Sequence, residues 1–308
     1  MKRIIFLFFL ITFLSHSKDT PFNFLRQTGS ARASALGGAF VSIYDDPTAL
    51  FYNPASVGST ISKNFSFTFF KHVLDINSGS VTFKKDFEKI GHFALSGNFT
   101  NYGSFERTNI DGQVVGSFTA NDFSFGLTYS NLLDTNLYYG ASIKFISSNI
   151  DKYSSVAITF DFGLLLLIPE KSTSIGLAIL HAGTQLKTFD NNRESLPLDL
   201  RVGISHRLRG LPLLLNFNFF NLADQTNKFF DRFLKFSIGG EFILSDYLHL
   251  RVGYDNYLRK YSGTSKSKEF IGFSAGLGLK LNEFNFDYGI SQVGASAIFH
   301  KFSIYLTL

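Results

Sequence analysis

The chain has 308 residues and a formal charge of +5, is 45% hydrophobic, and contains no cysteine and no tryptophan. Without sulfur there is neither a disulfide framework nor a thiolate metal site. Its 38 Phe and 13 Tyr are too many for a soluble core of this size and suit a surface that meets lipid and its interfaces.

Lys2 and Arg3 precede an apolar run from Ile4 to Leu14, followed by Ser15-His16-Ser17. A basic start, a short apolar run and a small-x-small site describe a secretory signal peptide, with cleavage expected after Ser17. The other reading is a membrane anchor, but the run is shorter than the roughly 20 residues of a spanning helix. Removal of 1–17 leaves 27 basic against 24 acidic residues, a charge of about +3. No basic block interleaved with aromatics remains, so nucleic acid is not an expected partner.

Residues 18–60 do not alternate. They carry Gly29-Ser30-Ala31-Arg32-Ala33-Ser34-Ala35-Leu36-Gly37-Gly38-Ala39-Phe40 and then Tyr44-Asp45-Asp46-Pro47-Thr48-Ala49-Leu50-Phe51-Tyr52-Asn53-Pro54-Ala55. Asp46 as N-cap and Pro47 as first helical residue predict a short helix through Phe51, which Asn53-Pro54 stops. Asp45-Asp46 has two readings, capping and turn formation or a paired-carboxylate metal or acid–base site. A segment so rich in small residues, placed ahead of a large barrel, is expected to pack inside its lumen. The expected division is a signal peptide at 1–17, a hatch or plug at 18–60 and a barrel at 61–308.

From residue 61 onward, period-two alternation recurs in runs of roughly ten residues. Phe123, Phe125, Leu127 and Tyr129 alternate with Asp122, Ser124, Gly126 and Thr128; Leu248, Leu250, Val252 and Tyr254 alternate with His249, Arg251, Gly253 and Asp255. Strand spacing places each apolar set on one face, where helical spacing would scatter it. Counted throughout, the pattern predicts about fourteen strands, near 64–73, 78–85, 91–101, 121–130, 136–147, 155–167, 173–182, 197–208, 211–220, 233–244, 247–257, 269–280, 283–290 and 297–308. No segment after the leader has 18 consecutive apolar residues, so helical spanning is excluded.

The connections segregate. Those at 131–135, 168–172, 209–210, 245–246 and 281–282 are short, whereas those at 102–120, 148–154, 183–196, 221–232 and 258–268 are longer. Short turns on one rim and long loops on the other are the outer-membrane pattern, with the short turns periplasmic. The fold class is therefore all-β, a transmembrane antiparallel β-barrel of about fourteen strands with a small N-terminal hatch, and its first partner is outer-membrane lipid. The last strand alternates Phe302, Ile304, Leu306 and Leu308 with Lys301, Ser303, Tyr305 and Thr307, and must close on the first because lipid cannot satisfy an open edge.

The other phase faces the interior. It carries Lys144, Asp161, Asp199, Arg201, Lys235, Glu241, Arg251, Asp255, Lys280, Asp287 and Lys301, with glycines at 126, 163, 203, 239, 253, 276, 278 and 289. Mixed signs predict paired networks in a narrow or plugged lumen over a one-sign ion filter. The candidate lumen charges are Asp161, Arg201, Glu241, Arg251 and Asp287. The glycines permit local curvature or close approach of a plug.

Enzymatic readings are weak, and no catalytic residue, metal or cofactor is expected. The seven His residues show no metal-ligand spacing. A strand hydrolase could be sought in Ser205-His206, but neighbours on a strand face opposite sides. His300 with Ser303 is a common coincidence in a Ser-rich chain. Gly37-Gly38 opens no phosphate-binding fingerprint.

The run "SARASALGGAFVSIYDDPTALFYNPAS" resembles the N-terminal signature of the PorV/PorQ family, a branch of the FadL-like outer-membrane barrels. Its elements here are the Ala-Arg-x-x-Ala-Leu-Gly-Gly-Ala stretch, Asp45-Asp46-Pro47 and Asn53-Pro54-Ala55. Later stretches such as "LHLRVGYD" and "FSAGLGLKL" are in the same idiom but less specific. The resemblance implies a fourteen-stranded barrel with a hatch motif at Gly37, Gly38, Asp45, Asp46, Pro47, Asn53, Pro54 and Ala55. It also implies one of two functions. The first is a scaffold or shuttle of the type IX secretion system, partnered by a surface protein of PorU or PorZ kind. The alternative is a FadL-like channel for hydrophobic small molecules such as fatty acids.

Overall fold

A computed structural model describes residues 20–307 except 28, 62–63, 73, 191, 227, 262–269 and 295–296. The expected signal peptide, 1–17, lies outside the described residues, as do Gly263, Lys266 and Lys268 of the last long loop.

Fourteen strands form one closed antiparallel barrel. They are β1 (Phe65–Lys71), β2 (Asn77–Phe87), β3 (Gly91–Thr108), β4 (Val114–Asp134), β5 (Leu137–Ile150), β6 (Tyr153–Ile168), β7 (Thr173–Lys187), β8 (Asp199–Arg207), β9 (Leu213–Phe219), β10 (Phe236–Ile243), β11 (Leu248–Asp255), β12 (Phe273–Leu281), β13 (Phe284–Gln292) and β14 (Ile298–Leu306). β1 pairs with β14 from Phe65↔Leu306 to Lys71↔His300, so no sheet edge is left for lipid to meet. Consecutive strands are neighbours throughout.

The pleat sorts the side chains as the alternation requires. Outward positions such as Phe67, Phe123, Phe125, Phe145, Phe162, Leu177 and Phe302 are exposed, while Thr68, Ser124, Thr128, Lys144, Asp161 and Ser303 point inward and are buried. An apolar exterior around a polar interior inverts the soluble pattern and is the signature of a lipid-facing barrel. No helix is long and apolar enough to cross a membrane among the described residues.

The two rims differ. One carries the tight turns β2–β3, β4–β5, β6–β7, β8–β9, β10–β11 and β12–β13, together with the start of β1 and the end of β14. The opposite rim departs from expectation twice. Residues 102–120, read as a loop, continue β3 and β4 into a two-stranded arm paired from Ser104↔Thr119 to Thr108↔Val114. The arm has no buried face, so its sequence carries no period-two signal. Residues 148–154 contract to a two-residue turn, because Ile150 pairs with Tyr153 and Asp151 takes a left-handed φ of 56°, the conformation such hairpins need. Strand length also divides the wall: β3 to β7 have 14–21 residues, β8 to β14 only 7–9.

Candidate functional site

Inside the barrel lies the N-terminal segment. α1 (Ala31–Ala35) is capped by Ser30, whose Oγ accepts from the Ala33 amide at 3.2 Å. It ends at Gly37 and Gly38, with φ of 65° and 80°, where the Gly38 amide donates to the Ala33 carbonyl at 2.8 Å. Left-handed residues of this kind close a helix and are open mainly to glycine. A 3-10 turn follows at Pro47–Phe51, then α2 (Ser56–Ser59). Ala31, Ala33, Ala35, Leu36, Phe40, Val41, Ile43 and Leu50 are all fully or almost fully buried.

The segment rests on a girdle of inward glycines. Four of the cross-strand pairs are Gly–Gly, namely Gly140↔Gly163, Gly176↔Gly203, Gly239↔Gly253 and Gly276↔Gly289. A Cβ at any of these eight positions would fall closer than 3.0 Å to the segment: Pro54 and Ala55 at 140, Asn53 and Pro54 at 163, Val41 at 176 and 203, Leu36 at 239, Leu36 and Gly37 at 253, Ala35 at 276 and Ala31 at 289. These glycines admit close approach of segment backbone and short side chains, with ordinary extended geometry, and together they shape a seat around most of the wall.

Polar ties fix the segment in that seat. The Arg32 guanidinium spans Asp46 (Nη1–Oδ2, 3.0 Å) and Glu241 of β10 (Nη2–Oε2, 2.6 Å). Burial opposes its charge, but Glu241 and Asp46 more than offset that and hold Arg32 above the ordinary arginine range. Glu241 also accepts from Arg251 Nε at 2.7 Å, and Arg251 Nη1 reaches Asp287 at 2.7 Å. A second tie joins Arg26 to Asp224 at 2.6 Å, a carboxylate that Lys235 also meets at 2.7 Å.

The motif residues have distinct placements. Asp46 caps the 3-10 turn, accepting from the Thr48 amide at 2.8 Å and the Thr48 hydroxyl at 2.6 Å, and Pro47 is the first residue of that turn. Asp45 sits at φ 54° and accepts from the Ile61 amide at 2.9 Å. The two carboxylates therefore hold separate turn and cap partners. Asn53 Nδ2 donates to the carbonyls of Val41 (3.0 Å) and Leu164 of β6 (2.9 Å), while its Oδ1 accepts from the Ala55 amide at 3.1 Å. Ser130 of β4 donates to the Ala55 carbonyl at 3.0 Å.

Of the five candidate lumen charges, Glu241, Arg251 and Asp287 share one network; Asp161 instead pairs with Lys144, and Arg201 with Asp199, each at 2.5 Å. Sequence reasoning did not single out Arg26, Arg32 or Asp224. An arginine in a small-residue helix was the available signal for Arg32, since a buried guanidinium must find a carboxylate; Asp224 lies in a loop without periodicity. The serine–histidine pairs stay apart. Ser205 meets Ser42 while His206 meets Thr173, and Ser303 meets Thr68 while His300 meets Tyr288. No group of three His, Asp or Glu able to hold a metal occurs among the described residues.

Two cavities flank the segment. Toward the short-turn rim, about 560 Å³ is lined by apolar Ile43, Leu167, Ile168, Leu214, Ile243 and Leu279 and by polar Asp45, Arg207, His249 and Lys280, beside the Arg32–Glu241–Arg251–Asp287 network. Toward the long-loop rim, about 150 Å³ is bounded by Gln27, Ser34, His72, Leu258, Phe299 and Lys301.

No protein-family model matches the chain, and no curated protein matches it in sequence. Solved structures do match in fold. A deletion mutant of the monoaromatic hydrocarbon channel TodX superposes with a TM-score of 0.62 at 11% identity, over 91% of this chain and 99% of that one. The Pseudomonas putida toluene transporter TodX gives 0.55 at 13%, over 90% and 96%. A Pseudomonas aeruginosa FadL homologue gives 0.53 at 12%, over 91% and 98%. The chain therefore shares the fold of these three barrels.

Proposed function

We propose that the chain is a bacterial outer-membrane channel for hydrophobic small molecules, exported with loss of residues 1–17 and closed by residues 18–60 acting as a plug. The observation that carries this reading is the seat itself. A separate segment fills the lumen in close contact with wall glycines, and beside it lies a cavity of about 560 Å³ with both apolar and charged lining, of a size for a small ligand. The hydrocarbon cargo named for the TodX structures supports the cargo class, and the FadL-like fold supports the location.

The test is uptake of toluene and of a labelled fatty acid by cells expressing the chain, beside conductance of the purified barrel. The full chain raises uptake of the hydrophobes while small-ion conductance stays low. Deletion of 18–60 leaves a heat-modifiable barrel whose conductance rises. Absent uptake, together with unchanged conductance on deletion, overturns the reading.

A second reading, a scaffold for a surface protein of PorU or PorZ kind, is favoured by one observation. β3 meets β2 only as far as Asn101, and β4 meets β5 only from Ala120. The arm 102–119 therefore projects past both strands, tied to the β5–β6 turn by Arg107–Asp151 at 2.6 Å, with Ile110, Val114 and Val115 exposed. A scaffold would lose a co-purifying surface protein when the arm is trimmed, with uptake untouched; a channel would not.

A further inference from the structure

The wall is too short on one side. β9 has seven residues and β10 and β11 eight each, below the roughly 9–11 residues of a spanning strand. Seven residues at about 3.3 Å each, tilted about 40°, rise about 18 Å, against an apolar band of about 25 Å. Beyond β9 on the long-loop rim, the chain forms a 3-10 turn, Phe229–Leu234. Phe229, Phe230 and Phe233 on it are 57%, 76% and 42% exposed. They are not scattered. Phe233 packs edge-on against the outward Phe219 of β9 at 5.5 Å, and Phe229 contacts Phe233 and Phe230 at 5.9 and 5.6 Å. The lipid-facing surface of β9 thus continues upward, unbroken, past the end of the strand.

We propose that the Phe229–Leu234 turn is a membrane anchor, its three phenylalanines seated among the acyl chains of the outer leaflet where β9 and β10 fall short. Lys228 and Arg232 flank the rings, the Arg232 guanidinium 5.7 Å from the Phe229 ring centre, and meet the lipid phosphates. Continuity with the apolar belt and the missing strand height select lipid as the occupant; aromatic rings at that level are at home in the interface. The arm on β3 and β4 lies on the long-strand side, where no such deficit exists.

The proposal rests on the membrane location given above, and one experiment separates the two. Because the chain has no tryptophan, a single substitution reports its own position. Phe230→Trp is compared, in vesicles containing brominated acyl chains, with Phe125→Trp in the belt and Ile110→Trp at the arm's tip. The anchor predicts blue-shifted emission from Phe230→Trp and bromine quenching nearer that of Phe125→Trp. Emission and iodide quenching like those of Ile110→Trp overturn the anchor and leave the barrel's insertion standing. If Phe125→Trp itself escapes bromine quenching, the membrane location falls and the anchor with it. As a second variant, Phe229→Ser/Phe230→Ser/Phe233→Ser keeps the strands intact and lowers thermal stability more in long-chain than in short-chain lipid. Equal loss in both lipids also overturns the anchor.

Discussion

The wall and the segment inside it are held by different physics. Every strand is hydrogen-bonded to two neighbours, so the wall completes its own backbone. The segment contains helices of five and four residues, too short to persist alone, and owes its shape to the seat. Their charges differ in the same way. Glu241 and Asp224 each hold two cations, one from the wall side (Arg251, Lys235) and one from the segment (Arg32, Arg26). If the segment leaves, both carboxylates keep a partner, and the two arginines pass to water. Neither carboxylate therefore depends on the segment for a counter-charge, which is what the proposed plug would require.

That comparison is broken most directly at Glu241. In Glu241→Gln, Arg32 keeps only Asp46 and Arg251 only Asp287, so two buried charge-assisted contacts are lost and the expected loss of stability is about 3 kcal/mol. In Arg32→Gln, Glu241 retains Arg251 and Asp46 retains its two donors from Thr48, so the expected loss is about 1–2 kcal/mol. Thermal unfolding of both variants in detergent reads the difference. Equal losses would mean that the wall depends on the segment as much as the reverse.

A smaller effect sharpens the steric half of the comparison. Gly239 and Gly240 are adjacent on β10 and face opposite ways. A Cβ at 239 would lie 2.8 Å from Leu36, whereas at 240 its nearest neighbour is Leu213 at 3.5 Å. Gly239→Val should cost about 1–3 kcal/mol and raise conductance by unseating α1. Gly240→Val should stay within about 0.5 kcal/mol and leave conductance unchanged. Matching conductance in the two variants would show that the girdle does not hold the segment.

The wall was legible in the sequence because its physics is periodic. Each of the fourteen predicted strands overlaps one in the structure, and the run at 121–130 falls inside β4. Limits failed where periodicity ends. The arm beyond Asn101 shows alternation on neither face, and the Ile150↔Tyr153 turn rests on one left-handed aspartate. Within the segment, Asp46 and Pro47 announced a local cap, since capping is a matter of a few residues, whereas the Ser30 cap and the Gly37 close of α1 were not read. Which wall atoms those turns meet was not legible. Arg32 to Glu241 spans 209 residues, and Asn53 to Leu164 spans 111; no local rule links them. The inward glycines gave half of the answer, room for the close approach of a plug, without saying which plug residue meets which glycine.

A further effect, read from pH dependence, lies at the long-loop mouth, where wall and segment both border the lesser cavity. His72 follows Lys71, the last residue of β1. Its imidazole meets Phe299 edge-on at 4.6 Å and hydrogen-bonds Ser78 Oγ at 2.8 Å. Burial disfavours the charged ring, and nearby Lys301 and Lys71 act in the same direction, so its pKa falls from 6.5 to about 4. The unfolded chain therefore binds a proton at this site near pH 6.5, the folded chain only near pH 4. Between those values the unfolded state holds more protons, so stability rises with pH. This contribution is complete above pH 6.5, declines as the pH falls toward 4 and is level below that. Its slope cannot exceed one proton per chain. His72→Gln keeps a hydrogen-bonding side chain without a titrating ring, and should flatten the stability profile between pH 4 and 6.5 while leaving the segment's ion pairs in place. An unchanged slope in that variant would place the ring in water and contradict its contacts with Phe299 and Ser78.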